Sequence, residues 1–329
     1  MGVKEDIIKY CKTLNINSVG FIKCRTFDEL KDFFEKRKLS GTENEFEEKD
    51  ILLRIDSQKW FEGGKTIVSI AFPYLSLYKN IDNGFSVYTK GIDYHFVLNK
   101  YLNEIVKIIN SYGGNAECFV DSNTLPERYL AYLGGVGFIG KNNMIITEKY
   151  GSYVFLGEII TDLEFYEDDK RSFDEINKFK ECGDCSICYK ECPSKAINNT
   201  QKNCNICLSY LTQKKELQNG EIKLLNGRIF GCDSCQMKCP YNQEVSYSSI
   251  EEFVGLDFMN NDNDDFIINM GNSDFKNTFK KASCGWRGKN VLKRNAIIRK
   301  HNYLKKEIDD IKSDSPYIQK YIDALRDND

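Results

Sequence analysis

The chain has 329 residues, 41% of them hydrophobic and 29% charged, with a formal net charge of -3 from 46 Lys and Arg against 49 Asp and Glu. That balance suits a globular protein with a sizeable core, at a length with room for roughly two domains of ~150 residues, and it excludes a uniformly basic nucleic-acid coat. The longest apolar runs, such as Thr66–Phe72, fall far short of the ~18 residues of a membrane span, and the charged, amphipathic start MGVKEDIIKYCK has no secretory apolar core.

Ile7, Ile8, Cys11 and Leu14 fall at helical spacing over residues 4–14. Ser18–Ile22 reads as a short strand, and Phe27–Leu39 as a helix ended near Gly41. The β-branched run Thr66–Phe72 predicts a buried strand stopped by Pro73. Tyr94–Tyr112 predicts a long amphipathic helix that Gly113 and Gly114 end. Glu117–Asp121 reads as a strand with Asp121 at its C-terminal end, and Pro126–Leu133 as a short helix before the glycine-rich Gly134–Lys141. Met144–Thr147 and Tyr153–Thr161 read as a strand pair. This mixture predicts an α/β (α+β) sandwich over residues 1–170. A cysteine-rich module follows over 171–245, and a helical, basic region over 246–329.

The 13 cysteines are unevenly spread: Cys11, Cys24 and Cys118 stand apart, nine fall between Cys182 and Cys239, and Cys284 is alone near the end. A secreted disulfide scaffold would be shorter, so a reducing cytoplasm is the expected compartment. Cys182, Cys185, Cys188 and Cys192 followed by Pro193 form C-x2-C-x2-C-x3-C-P, the bacterial ferredoxin run for 4Fe–4S clusters. Cys232, Cys235 and Cys239 followed by Pro240 form a second run one cysteine short. In such runs the last cysteine serves the other cluster. Cys182, Cys185 and Cys188 should therefore take Cys239, while Cys232 and Cys235 take Cys192 and need one ligand more; Cys204 and Cys207 lie between the runs. A pair of zinc knuckles is the plainer alternative. The scattered Cys11, Cys24, Cys118 and Cys284 read as ordinary thiols.

Between Lys276 and Lys306 stand eleven basic residues, including Arg287, Arg294 and Arg299, with no Asp or Glu among them. They form either a solvated helical face or a contact for nucleic-acid phosphates. Gly134, Gly135, Gly137 and Gly140 follow a helix rather than a strand, so they are no dinucleotide fingerprint; a tight turn or a backbone kept open for a bulky cofactor are the two readings. Asp121, at a strand end beside that loop, is placed to be a proton donor if burial raises its pKa, or else a cap of the next helix.

Several stretches together resemble the epoxyqueuosine reductase family. They are Lys90-Gly-Ile-Asp93-Tyr94-His95; Val120-Asp121-Ser122 leading to Glu127-Arg128; Gly134-Gly-Val-Gly-Phe-Ile-Gly-Lys141-Asn142; Gly151-Ser-Tyr-Val-Phe-Leu-Gly157-Glu158; both cysteine runs; Cys207-Leu-Ser-Tyr-Leu-Thr212; and Arg294-Asn-Ala296. The resemblance implies a cobalamin-binding α/β domain like that of reductive dehalogenases, a ferredoxin-like module with two 4Fe–4S clusters, and a C-terminal helical part. It implies reduction of epoxyqueuosine to queuosine in tRNA, with Asp121 as the catalytic proton donor and Cys207 as the missing cluster ligand. Asp93, Tyr94, His95, Lys141, Asn142, Ser209 and Tyr210 lie in its motifs near the corrinoid or substrate. An external low-potential electron donor, a cytoplasmic monomer and no membrane contact complete the expectation. Ile92, Phe96 and Thr124 depart from the family pattern, and the family often continues into further helical repeats. A related corrinoid reductase acting on a small molecule, and a ferredoxin-like electron carrier, are the alternatives.

Overall fold

No side chain of Thr66–Pro73 is exposed, a burial only a strand covered on both faces attains. In the computed structural model, which describes residues 2–76, 82–200, 202–262 and 264–327, this strand is β2 and lies inside a four-stranded antiparallel sheet. The sheet order is β1 (Val19–Lys23), β2, β6 (Val154–Thr161), β3 (Ala116–Phe119). The described chain divides into two compact units, interleaved along the sequence: residues 1–76, 95–189 and 236–251 form one, and 77–94, 190–235 and 252–329 the other.

The first unit holds the sheet. One of its faces presents Ile22, Ile67, Ala71 and Ile160 to the buried side chains of α5 (Glu127–Leu133), including Tyr129, Leu130 and Leu133. Gly20 of β1 and Gly134 at the end of that helix approach so closely that a Cβ on Gly20 would lie 2.7 Å from the Gly134 carbonyl oxygen. The glycines there are the contact itself, so packing accounts for Gly134 without a cofactor. The other face takes α4 (Tyr94–Ser111), with Leu98 and Leu102 over Gly157 of β6. Helix α1 (Val3–Thr13) buries Ile7 and Cys11 as its periodicity predicts.

Two expectations change here. Met144–Thr147 and Tyr153–Thr161 do not pair. β5 (Ile145–Ile146) pairs with β4 (Phe138–Ile139), and β6 pairs with β2 and β3. Between them Thr147 Oγ1 donates to the Gly151 carbonyl at 3.1 Å, with Gly151 at φ 55, and the turn sends the strands apart. Strand β3 ends at Phe119, and Asp121 lies two residues beyond it at φ 49.

The second unit is helical around Leu208, Leu211, Ile229, Phe230, Phe279, Leu292 and Ile322. Its basic run is not one surface. Arg294 and Arg299, on and just after the helix Lys289–Ile298, are 0% and 3% exposed. Arg294 Nη1 donates to the carbonyls of Lys214 and Lys215 and to the Tyr317 hydroxyl, each at 2.7 Å. Arg299 pairs with Asp264 at 3.1 Å. A buried guanidinium keeps its charge only with such partners, so these two arginines are scaffold. Lys276, Lys280, Lys281 and Lys293 have no ion-pair partner among the described residues.

Candidate active site

The nine clustered cysteines sort themselves by unit. Cys182, Cys185, Cys188 and Cys239 lie in the first unit, and Cys192, Cys204, Cys207, Cys232 and Cys235 in the second. Burial, and then the Cys182, Cys185 and Cys239 thiols around it, push Cys188 up to about 11. In the second unit burial is again the first cause that raises Cys235, followed by Cys232, Cys207, Asp233 and Cys192. Cys204, in a neighbouring turn, is not among the leading groups that act on Cys207 or Cys235. Among the described residues no cysteine is disulfide-bonded, and no three His, Cys, Asp or Glu side chains converge tightly enough to hold one metal ion. Within each unit four thiols act on one another electrostatically, and four thiolates are what a cubane takes, one per iron.

Polar scaffolds hold each quartet. In the first unit Asn242 accepts the Ser152 amide at 2.8 Å and donates to Ser152 Oγ and to the Gln236 carbonyl, both at 2.8 Å. Ser152 Oγ donates to Gln236 Oε1 at 2.9 Å, which anchors the Cys239 loop beside β6. A Cβ on Gly151 would lie 2.0 Å from Asn242 Oδ1, so only glycine admits this amide. In the second unit Asn295 donates to the carbonyls of Thr212 and Ile229, at 2.7 and 2.8 Å, and so ties the Cys207 helix to the approach of Cys232. Asp233 accepts the Ser86 hydroxyl at 2.6 Å and the Val87 amide at 2.8 Å.

Asp121 lies at the end of β3, where the first turns of α4 and α5 reach it from the two helical layers. Its Oδ2 is 3.5 Å from His95 Nε2, and its side chain is 61% exposed, so the burial expected of this acid is absent. Ser122 Oγ is 3.2 Å from the same ring nitrogen. The helix-cap alternative fails, because α5 is capped at Pro126 without a side-chain bond. The Asp121 amide instead donates to Glu127 Oε1 at 2.8 Å. Behind Glu127 stands Glu158, fully buried on β6, with Oε1 accepting from Ser69 Oγ at 3.0 Å and Oε2 without a partner. Burial foremost, and then the Glu127 carboxylate, raise Glu158 well above the ordinary range. Burial and then Asp121 push Glu127 up to about 7. These two acids were quoted above only as parts of motifs. The signal for Glu158 was present, a lone acid in an otherwise apolar strand.

His95, Lys141 and Asn142 lie in the first unit, and Asp93, Tyr94, Ser209 and Tyr210 in the second. Lys141 Nζ donates to the carbonyls of Gly183 and Cys185, at 2.6 and 2.9 Å, so it braces the first cysteine run. Asn142 is buried and accepts the Met144 amide at 3.1 Å. Tyr210 packs on the helical core, and the Ser209 carbonyl accepts the Thr212 hydroxyl at 2.9 Å. The Asp93 amide donates to the Lys281 carbonyl at 2.9 Å.

Residues 181–242 match the model of a 4Fe-4S double cluster binding domain, and residues 54–122 that of epoxyqueuosine reductase QueG. With the acid-bearing α/β unit, this defines an iron–sulfur oxidoreductase. The chain is 32% identical to the epoxyqueuosine reductase of Staphylococcus aureus, over 90% of this chain and 79% of that one. It is 33% identical to that of Bacillus subtilis, over 90% and 78%. It belongs to the epoxyqueuosine reductase family. The structure of an epoxyqueuosine reductase with an epoxyqueuosine-modified tRNA-Tyr stem loop superposes with a TM-score of 0.88 at 30% identity, covering 98% of this chain and 89% of that one. A Bacillus subtilis structure in which the catalytic loop is swung out of the active site superposes with a TM-score of 0.86 at 29% identity, with the same coverage. No helix among the described residues is long and apolar enough to cross a membrane.

Proposed function

We propose that this chain reduces the epoxide of epoxyqueuosine in tRNA to the alkene of queuosine, with cobalamin fed by two 4Fe–4S clusters. The observation that carries the reading is the Asp121 carboxyl, exposed at a strand end beside His95, in a chain that superposes on a relative holding the modified stem loop along nearly its whole length. Cys182, Cys185, Cys188 and Cys239 would hold one cluster, and Cys192, Cys207, Cys232 and Cys235 the other.

Deoxygenating an epoxide to an alkene consumes two electrons and two protons and releases one water. Cobalamin, when bound, supplies strongly reducing chemistry at carbon. Exposure of Asp121 and Ser122 leaves this end of the sheet open to a bulky group, and His95, beside Asp121 in the same unit, is a residue we assign to the corrinoid or the substrate. An epoxide oxygen leaves poorly as an alkoxide, so a positioned acid is required. Asp121 delivers a proton to that oxygen, and His95 orients its carboxyl. Its loop is the segment we equate with the catalytic loop of the Bacillus subtilis relative. Lys276, Lys280, Lys281 and Lys293, without carboxylate partners, offer their charge to RNA phosphates.

The thirteen cysteines, none of them in a disulfide, support work in the reducing cytoplasm. There the enzyme acts as a monomer supplied by an external low-potential donor. The test is anaerobic reconstitution with iron, sulfide and cobalamin, then mass spectrometry of a stem loop carrying epoxyqueuosine. The expected product is lighter by one oxygen; a fully loaded protein that leaves the stem loop unchanged overturns the reading.

A further inference from the structure

We propose that Glu127 is the positioning residue for the acid of this reaction: one of its carboxyl oxygens holds the Asp121 loop and thereby fixes the Asp121 carboxyl beside His95. The proposal rests on the reading of Asp121 as proton donor. Glu127 Oε1 accepts two hydrogen bonds, from the Asp121 amide at 2.8 Å and from Asn123 Nδ2 at 2.9 Å. Asn123 Oδ1 in turn accepts the Leu125 amide at 2.8 Å. The turn between β3 and α5 is thus fastened to the first residue of α5 through a single oxygen atom.

The fastening is needed because of the backbone. Asp121 has φ 49, in the left-handed region that Asp enters more readily than most residues but that still costs more than negative φ unless local hydrogen bonds favour it. The held group is the amide of Asp121 itself. Without it the residue returns to negative φ, and the carboxyl swings away from His95 Nε2, 3.5 Å distant. A displacement of about 1 Å costs a catalytic group on the order of 100-fold in rate.

Asp121 faces Glu127 and Arg128 from α5 and His95 from α4, while Glu127 in turn faces Glu158 from β6.

The experiment uses the full chain loaded anaerobically with clusters and cobalamin, and a stem loop carrying epoxyqueuosine. Glu127→Ala is expected to lower kcat ~100-fold with the KM for RNA unchanged. Glu127→Gln retains an acceptor oxygen, and is expected to restore kcat to within a few-fold of the wild type. Asp121→Asn, measured alongside, separates the two claims. If Asp121→Asn is fully active, the acid itself has been misread. If Asp121→Asn is inactive but Glu127→Ala matches the wild type, the acid stands and the clamp is wrong. Glu127→Gln as impaired as Glu127→Ala overturns the clamp as well. Should Glu127→Ala lose iron or fail to fold, Glu127→Gln decides, and a ~100-fold loss of kcat in that variant sinks the proposal.

Discussion

At the scale of single residues, the buried Glu158 ties stability to pH. Glu158 sits in the middle of the sheet with one oxygen bonded to Ser69 and the other to nothing. Burying an ionised carboxylate in such a place costs several kcal/mol, so the group keeps its proton. Its folded-state pKa therefore lies above its unfolded one. The stabilisation that follows is complete below the ordinary glutamate value and is lost as pH rises towards the folded value, at up to about 1.4 kcal/mol per pH unit. Glu158→Gln should remove that dependence. Its Tm should match the wild type near pH 4 and exceed it at pH 8, with a smaller slope of the same sign remaining from Glu127, which burial raises to about 7. Thermal melts across this range would refute the assignment by giving parallel curves.

Between elements, one tight joint is the crossing of β1 and the end of α5. A Cβ on Gly20 would meet the oxygen, Cα and carbonyl carbon of Gly134 at 2.7–2.9 Å, all of them backbone atoms that cannot rotate aside. Gly20→Val is expected to destabilise by about 3 kcal/mol through overpacking. It should also lower activity, because the same helix carries Glu127 at its other end. Gly220 is the control, since a Cβ there meets nothing within 4 Å. Gly220→Ala should be neutral or stabilise by up to about 1 kcal/mol. Equal melting temperatures for Gly20→Val and the wild type would refute the close-contact account.

On the scale of the whole molecule, the four cysteines proposed for each cluster lie within one compact unit although the cysteine runs are crossed in sequence. Cys239→Ser should thus empty one site and leave about four of ~eight irons, whereas Cys204→Ser should keep all of them. Iron and sulfide analysis after anaerobic reconstitution checks both, and loss of iron in Cys204→Ser would reassign the second quartet. RNA affinity belongs to this scale too. Neutralising Lys280 and Lys281 should weaken stem-loop binding at low salt and flatten its dependence on log salt by ~0.7 per lysine that meets a phosphate. An unchanged salt slope would place the RNA elsewhere.

The sequence by itself carried the signals for the chemistry we propose: cysteine spacing predicts which thiols share a cluster, β-branched and amphipathic runs dictate β2, α1 and α4, and the motif around Asp121 singles out the proposed acid. These signals are local, carried by residues a few positions apart. Only the tertiary structure decided that Arg294 and Arg299 brace the interior instead of facing RNA, that Lys141 braces a cysteine loop, that β5 leaves β6 for β4, and that Glu127 and Glu158 stand in line behind Asp121. Each of those outcomes depends on partners from 6 to more than 200 residues away in the chain. A charge run or a glycine looks the same in sequence whether it is solvated or enclosed. The cost of burying a charge, or of placing a Cβ against a backbone, exists only once the distant segments have come together.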